Sequence, residues 1–124
     1  GEAHPMDPAA TGLALARLLE RPDWGGALLA ADAGRPAGYA VWTLGYSLEF
    51  GGRDALLDEL YVAPEARGRG LGAALVDAAA GTAAAAGAAT LHLEAMHGDR
   101  VAEFYRRLGF APRPSTYMTR ALGA

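Results

Sequence analysis

Leu57-Asp58-Glu59-Leu60-Tyr61-Val62-Ala63-Pro64-Glu65-Ala66-Arg67-Gly68-Arg69-Gly70-Leu71-Gly72 decides how the chain is read. Ala55 to Val62 has the composition of a strand, and Pro64, which has no amide proton to give a ladder, ends it. A glycine-rich turn follows, and Leu71 to Ala86 predicts a helix because alanine costs least there. The first amides of a helix lack intrahelical acceptors, and the macrodipole adds positive potential at the same end. Glycine lets backbone approach a ligand with no Cβ in the way. With Arg67 and Arg69 adding charge, Arg67 to Gly72 predicts an anion site suited to phosphate; the plainer alternative is a flexible charged turn.

Two other phosphate loops compete for the same residues. Gly68-x-Gly70-x-x-Ala73 also fits the dinucleotide fingerprint, with Glu94 standing where its ribose-binding acid would. That loop turns directly after its strand, however, and here Ala63 to Arg67 intervene. The rest of the chain is also too short for a doubly wound fold. A Walker A loop is excluded, since the chain has no lysine.

Working outward, Thr11 to Leu19 reads as a helix stopped by Pro22. Ala27 to Ala31 and Gly38 to Leu44 read as strands joined by a turn at Ala33 to Pro36. Gly51-Gly52 marks the next turn, so these strands and Ala55 to Val62 form an antiparallel meander. Beyond the central helix, Gly87 is a C-cap and Thr90 to Met96 alternates as a strand, with Leu91, Leu93 and Ala95 on one face. Arg100 to Leu108 is a helix ending at Gly109, and a last strand is expected near Thr116 to Leu122, after Pro112 and Pro114. The order α-β-β-β-α-β-α-β predicts an α/β fold with a mixed sheet.

The whole chain bounds the function. Its 124 residues, 52% hydrophobic and 20% charged, describe one soluble domain spanning 1–124. Thirty alanines and 17 glycines, with no Lys, Ile, Asn, Gln or Cys, read first as GC-rich coding bias. The missing cysteine excludes disulfides, thiolate metal sites and a cysteine nucleophile. A net charge of -3 offers no basic footprint for nucleic acid. No export signal or membrane-spanning run stands out, so the expected setting is a bacterial cytoplasm.

The Leu57–Gly72 stretch resembles the central motif of the GNAT N-acetyltransferases: a strand ending in apolar-x-Val-x-Pro, then Arg/Gln-x-x-Gly-x-Gly/Ala and a helix. Val101-Ala102-Glu103-Phe104-Tyr105-Arg106-Arg107-Leu108-Gly109-Phe110 resembles the family's later A-x-x-F-Y-x-x-x-G-F signature, in the required order. The resemblance covers residues 11 to 122 and implies the family's mixed, mostly antiparallel sheet flanked by helices, N-terminally shortened by its usual first strand and helix. It implies acetyl-CoA as cosubstrate, its pyrophosphate held by the amides of Arg67, Gly68, Arg69, Gly70, Leu71, Gly72 and Ala73. It further implies that backbone near Leu60, Tyr61 and Val62 pairs with the pantetheine arm like an added strand, splaying from its neighbour to open a cleft for the thioester. Tyr105 would then protonate the departing thiolate, although packing beside Phe104 is its plainer role. Where the family often has a pantetheine-binding asparagine, this sequence has Gly98, which puts that contact in doubt or passes it to His97 or Asp99.

An ammonium acceptor must lose a proton before it can attack, so a carboxylate is needed. Asp58, Glu59 and Glu94 are the candidates; strand alternation would send Asp58 and Glu59 to opposite faces. Tyr46-Ser47 with Leu57 to Val62 is similar to the diamine and polyamine branch, in which Asp58 takes the base position, and Glu49 and Asp54 add to a surface favouring a cation. His4, His92 and His97 read as surface residues rather than metal ligands, and no metal is expected. Trp24 and Trp42 read as core or cleft wall; Arg106 and Arg107 as solvated charges or contacts to the 3′-phosphate of CoA.

These readings favour an enzyme acetylating a small-molecule amine by direct attack in a ternary complex, since no cysteine can carry the acetyl group. The alternatives are a non-catalytic CoA-binding module and an N-acetyltransferase for proteins or peptides. No membrane or nucleic-acid partner is expected, and a bare sheet edge allows a homodimer.

Overall fold

The computed structural model describes residues 7–95 and 99–123, which fall into two compact units meeting in sequence after Glu94. The first unit opens with helix α1, Pro8–Leu19. It starts before Thr11 because the Asp7 carboxylate accepts a hydrogen bond from the Ala9 amide at 3.1 Å, and Pro8 fills a first-turn position that needs no donor. None of its residues is buried.

Strands β1 (Gly25–Asp32), β2 (Arg35–Ser47) and β3 (Gly52–Val62) form the expected antiparallel meander, each longer than its apolar run. The β1–β2 hairpin closes through Ala33 and Gly34, both left-handed at φ 51° and 80°, which suits the twist of the flanking strands. Pro36 pairs only with β1, beyond the reach of β3, so its missing amide proton breaks no second ladder.

Helix α2 (Leu71–Ala85) lays Leu75, Val76, Ala79 and Ala83 against the sheet. It ends at Ala85, one residue short of the expected Ala86, which is its C-cap: Gly87, at φ 97°, donates to the Ala84 carbonyl and Ala88 to that of Ala83. Seven of the twelve buried apolar residues among those described are alanines, so helix and sheet approach through methyl groups. Gly38 belongs to this contact, since a Cβ there would meet the Tyr61 carbonyl oxygen at 2.6 Å and Leu75 Cδ1 at 3.2 Å. Trp42, 4% exposed, lies across Gly26 of β1, where a Cβ would come within 2.9 Å of its ring.

The fourth strand departs from expectation. Instead of Thr90 to Met96, β4 is only Leu91–His92, pairing in parallel with Ala55 and Leu56; Met96 lies outside the described residues. The cause sits in β3. Glu59 opposes Val41 but Leu57 opposes Trp42, so Asp58 is an extra residue, and a bulge of this kind bends and twists its strand. After Leu56 the ladder to β4 stops, and Leu57 to Val62 have no strand partner on that side among the described residues. The sheet order is β1-β2-β3-β4.

The second unit contains helix α3, Asp99–Arg107, one residue displaced from the expected span and closed by Gly109 at φ 94°. The strand expected at Thr116 to Leu122 is absent: residues 111–123 are exposed and irregular. Pro112 and Pro114 remove donors, and among the described residues of their unit the one regular element is a helix, which cannot supply a ladder. Among the described residues no helix is long and apolar enough to cross a membrane.

Candidate functional site

After Val62 the chain makes one 3-10 turn, Pro64–Ala66, and enters the glycine loop. Gly68 and Gly70 are left-handed at φ 81° and 79°, a conformation that a Cβ penalises. Neither crowds a neighbour: a Cβ at either would meet nothing within 4 Å, so the space above the loop is open. Gly70 caps α2, and the first helical bond runs from the Ala74 amide to the Gly70 carbonyl at 3.1 Å. The amides of Leu71, Gly72 and Ala73 therefore precede the intrahelical ladder and can serve an anion. The loop fits a pyrophosphate.

Its arginines are held by the protein itself. Arg67 Nε donates to the Val62 carbonyl at 3.0 Å, and Arg69 donates to the Glu65 carbonyl at 2.8 Å and pairs with Asp32 at 3.1 Å. Asp32, at the end of β1, was not singled out by the sequence; its contribution depends on a hairpin folding back beside a loop 37 residues later.

Leu60, Tyr61 and Val62 form the part of β3 beyond the last rung to β4, with Leu60 and Val62 half-buried and Tyr61 exposed. The bulge cancels the strict alternation expected for Asp58 and Glu59, because the extra residue shifts the register between them. Asp58 is exposed, whereas Glu59 is half-buried and accepts a hydrogen bond from the Tyr39 hydroxyl at 3.3 Å. The Tyr39 ring leans on Tyr61, their centroids 5.7 Å apart. Burial, and next the neighbouring Glu59 charge, push the Tyr39 phenol above its ordinary pKa. Tyr39 was missed in the sequence; only the pairing of Tyr39 with Tyr61 across the meander reveals it. Glu94 lies just past β4 and is exposed.

His92 is not the plain surface residue expected. It is half-buried, with Nε2 3.3 Å from Asp54 Oδ2 and 3.2 Å from Thr90 Oγ1, and its ring faces Phe50 at 5.0 Å. His4, His97 and Gly98 lie outside the described residues. Among those described, no group of three or more His, Cys, Asp or Glu side chains could hold a metal ion. Trp42 is core, as expected; Trp24 is half exposed, with the Arg21 guanidinium 4.4 Å from its ring.

In the second unit Tyr105 is half-buried between Phe104 and Phe110, whose centroids lie 5.0 Å and 5.7 Å from its own, both edge-on. Burial raises its pKa, which keeps the phenol protonated and able to donate. Packing and proton-holding thus coexist at this residue. Arg106 and Arg107 are exposed in the last turn of α3, Arg107 bonded to Glu103 at 3.4 Å.

The model of the acetyltransferase (GNAT) family matches residues 2–110. No curated protein matches the chain. Among solved structures, an integron cassette protein from the mobile metagenome of Cole Harbour Salt Marsh is 34% identical with a TM-score of 0.82, over 94% of this chain and 72% of that one. The ribosomal-protein-alanine N-acetyltransferase of Brucella melitensis biovar Abortus 2308 is 26% identical with a TM-score of 0.69, over 85% and 76%. An aminoglycoside N-acetyltransferase solved in complex with CoA, 19% identical with a TM-score of 0.78 over 92% and 78%, shares the fold.

Proposed function

Because the chain belongs to the acetyltransferase (GNAT) family, whose model spans residues 2–110, we propose that it moves an acetyl group from acetyl-CoA to the primary amine of a small molecule. The observation that carries this reading is the loop at the start of α2, where two left-handed glycines leave unpaired amides under open space. The CoA complex of the aminoglycoside enzyme with the same fold supports the same cosubstrate.

In this reading the amides from Gly68 to Ala73 hold the pyrophosphate, that of Arg67 being taken by the Pro64 carbonyl at 3.3 Å, and the outer edge of Leu60 to Val62 pairs with the pantetheine arm. The neutral amine attacks the thioester carbonyl, a carbon–nitrogen bond forms, and the carbon–sulfur bond breaks. The ammonium's first proton passes to a carboxylate, Asp58 or Glu59; after attack the nitrogen releases a second proton, which restores the one that Tyr105 gives to the departing thiolate. The role of Tyr105 rests on its place in the Phe104-Tyr105…Gly109-Phe110 motif and on a phenol that burial keeps protonated. With no cysteine in the chain, direct transfer in a ternary complex is the simplest route. A diamine or polyamine is the acceptor that the acidic β3 favours. The outer edge of β1 supports pairing between two copies, measurable by light scattering.

A thiol-release assay with acetyl-CoA against diamines, polyamines, amino acids, aminoglycosides and peptides tests the reaction, and release with none of them overturns it. Gly70→Asp, which sets a carboxylate against the phosphate, is expected to abolish CoA binding by calorimetry; undiminished binding removes the loop from the site. Tyr105→Phe is expected to lower kcat on the order of 100-fold with CoA affinity kept.

A further inference from the structure

The β2–β3 ladder brings Tyr39, which belongs to no sequence motif, beside Glu59 and Tyr61 of the Leu57–Gly72 stretch. Gly38 faces Leu75 of α2, so Tyr39, the next residue of β2, projects from the opposite face of the sheet. Its cross-strand partner Tyr61 shares that face, and Glu59, two residues back along regular β3, stands beside them. The Tyr39 hydroxyl engages Glu59 Oε2, leaving Oε1 without a protein donor among the described residues. A carboxylate beside two phenol rings offers a charge-assisted acceptor and negative ring faces, which together recognise a cation bearing N–H donors. A neutral hydroxyl of the same shape gains neither the charge nor the ring attraction, and an anion is repelled.

We propose that Tyr39, Glu59 and Tyr61 form the seat for the acceptor's ammonium group, with Tyr39 the positioning residue that fixes the Glu59 carboxylate. The substrate class is then a cationic primary alkylamine. The seat's part in turnover rests on the acetyl-transfer reading; its capacity to bind an ammonium does not. In turnover the ammonium N–H bond breaks, its proton moves to Glu59, and the nitrogen keeps the electron pair with which it attacks the thioester.

The test is calorimetric titration of the full chain, alone and with saturating CoA, using diaminobutane and its neutral isostere butanediol. Wild-type protein is expected to bind the diamine on the order of tenfold more tightly than the diol. Glu59→Gln is expected to erase that preference. Tyr39→Phe keeps the ring and loses only the hydroxyl; it is expected to weaken the diamine about threefold while the thermal midpoint and CoA affinity stay unchanged. In the thiol-release assay the same variant raises KM for the diamine and leaves KM for acetyl-CoA alone, a split that a merely structural role would not produce. Equal binding of diamine and diol by wild-type protein, or an intact preference in Glu59→Gln, overturns the seat. A Tyr39→Phe variant that binds the diamine like wild type overturns the positioning role. A protein that prefers the diamine yet binds no CoA and releases no thiol sinks the transfer reading and leaves the seat standing.

Discussion

Ala33 holds a backbone conformation, φ 51°, that costs an L-residue on the order of 1–2 kcal/mol because Cβ crowds the following carbonyl. The two-residue hairpin leaves it no choice, since both central positions must be left-handed. Ala33→Asn keeps the turn with a residue that tolerates it, and thermal unfolding should show a gain of about 1 kcal/mol. An unchanged midpoint would mean that the strain is absorbed elsewhere. Gly68 and Gly70 share the same backbone region without a Cβ to penalise, which is why the glycine loop holds its shape at no comparable cost. Asp32, one residue before Ala33, ties this hairpin to Arg69, so the turn and the loop are physically linked.

At the level of elements, what the sequence made legible was local. The Val62–Pro64 stop, the glycine turn and the alanine-rich helix need only neighbours along the chain, and they stand where expected. The meander was equally readable, because alternation and turn residues lie within a short span. What failed depends on partners far away. The length of β4 is set by the Asp58 bulge in another strand, and Thr116 to Leu122 has strand composition but joins no ladder among the described residues. The candidate site divides along the same line: the glycine loop at Arg67 to Gly72 could be read from neighbours in sequence, whereas Tyr39 meets Glu59 only through the β2–β3 register, and His92 meets Asp54 only through the parallel rung at Leu56. The union of α2 with the sheet can be tested at Gly38. Its hypothetical Cβ would meet a carbonyl oxygen at 2.6 Å, which cannot swing aside as a side chain can. Gly38→Ala is therefore expected to cost about 1–3 kcal/mol in chemical denaturation; a neutral result would show that α2 rides loosely over β2.

For the molecule as a whole, the two shifted phenols set an alkaline limit. Tyr39 is raised chiefly by burial and then by the Glu59 charge, and Tyr105 by burial. Both folded-state values lie above the unfolded value of about 10. Below that pH both states are protonated and the contribution is complete; as pH rises through the folded values, the unfolded chain has already released its protons and stability is lost. Denaturant midpoints should hold level to about pH 9.5 and then decline, and Tyr39→Phe or Tyr105→Phe should make the decline shallower. A slope unchanged in both variants would assign it to other groups. The alanine-built contact between α2 and the sheet carries a different consequence. Methyl groups remove little apolar area from water per residue, and the rise in heat capacity on unfolding scales with that area. The stability curve is therefore expected to be broad and shallow, weakening little toward the cold, which calorimetric unfolding checks.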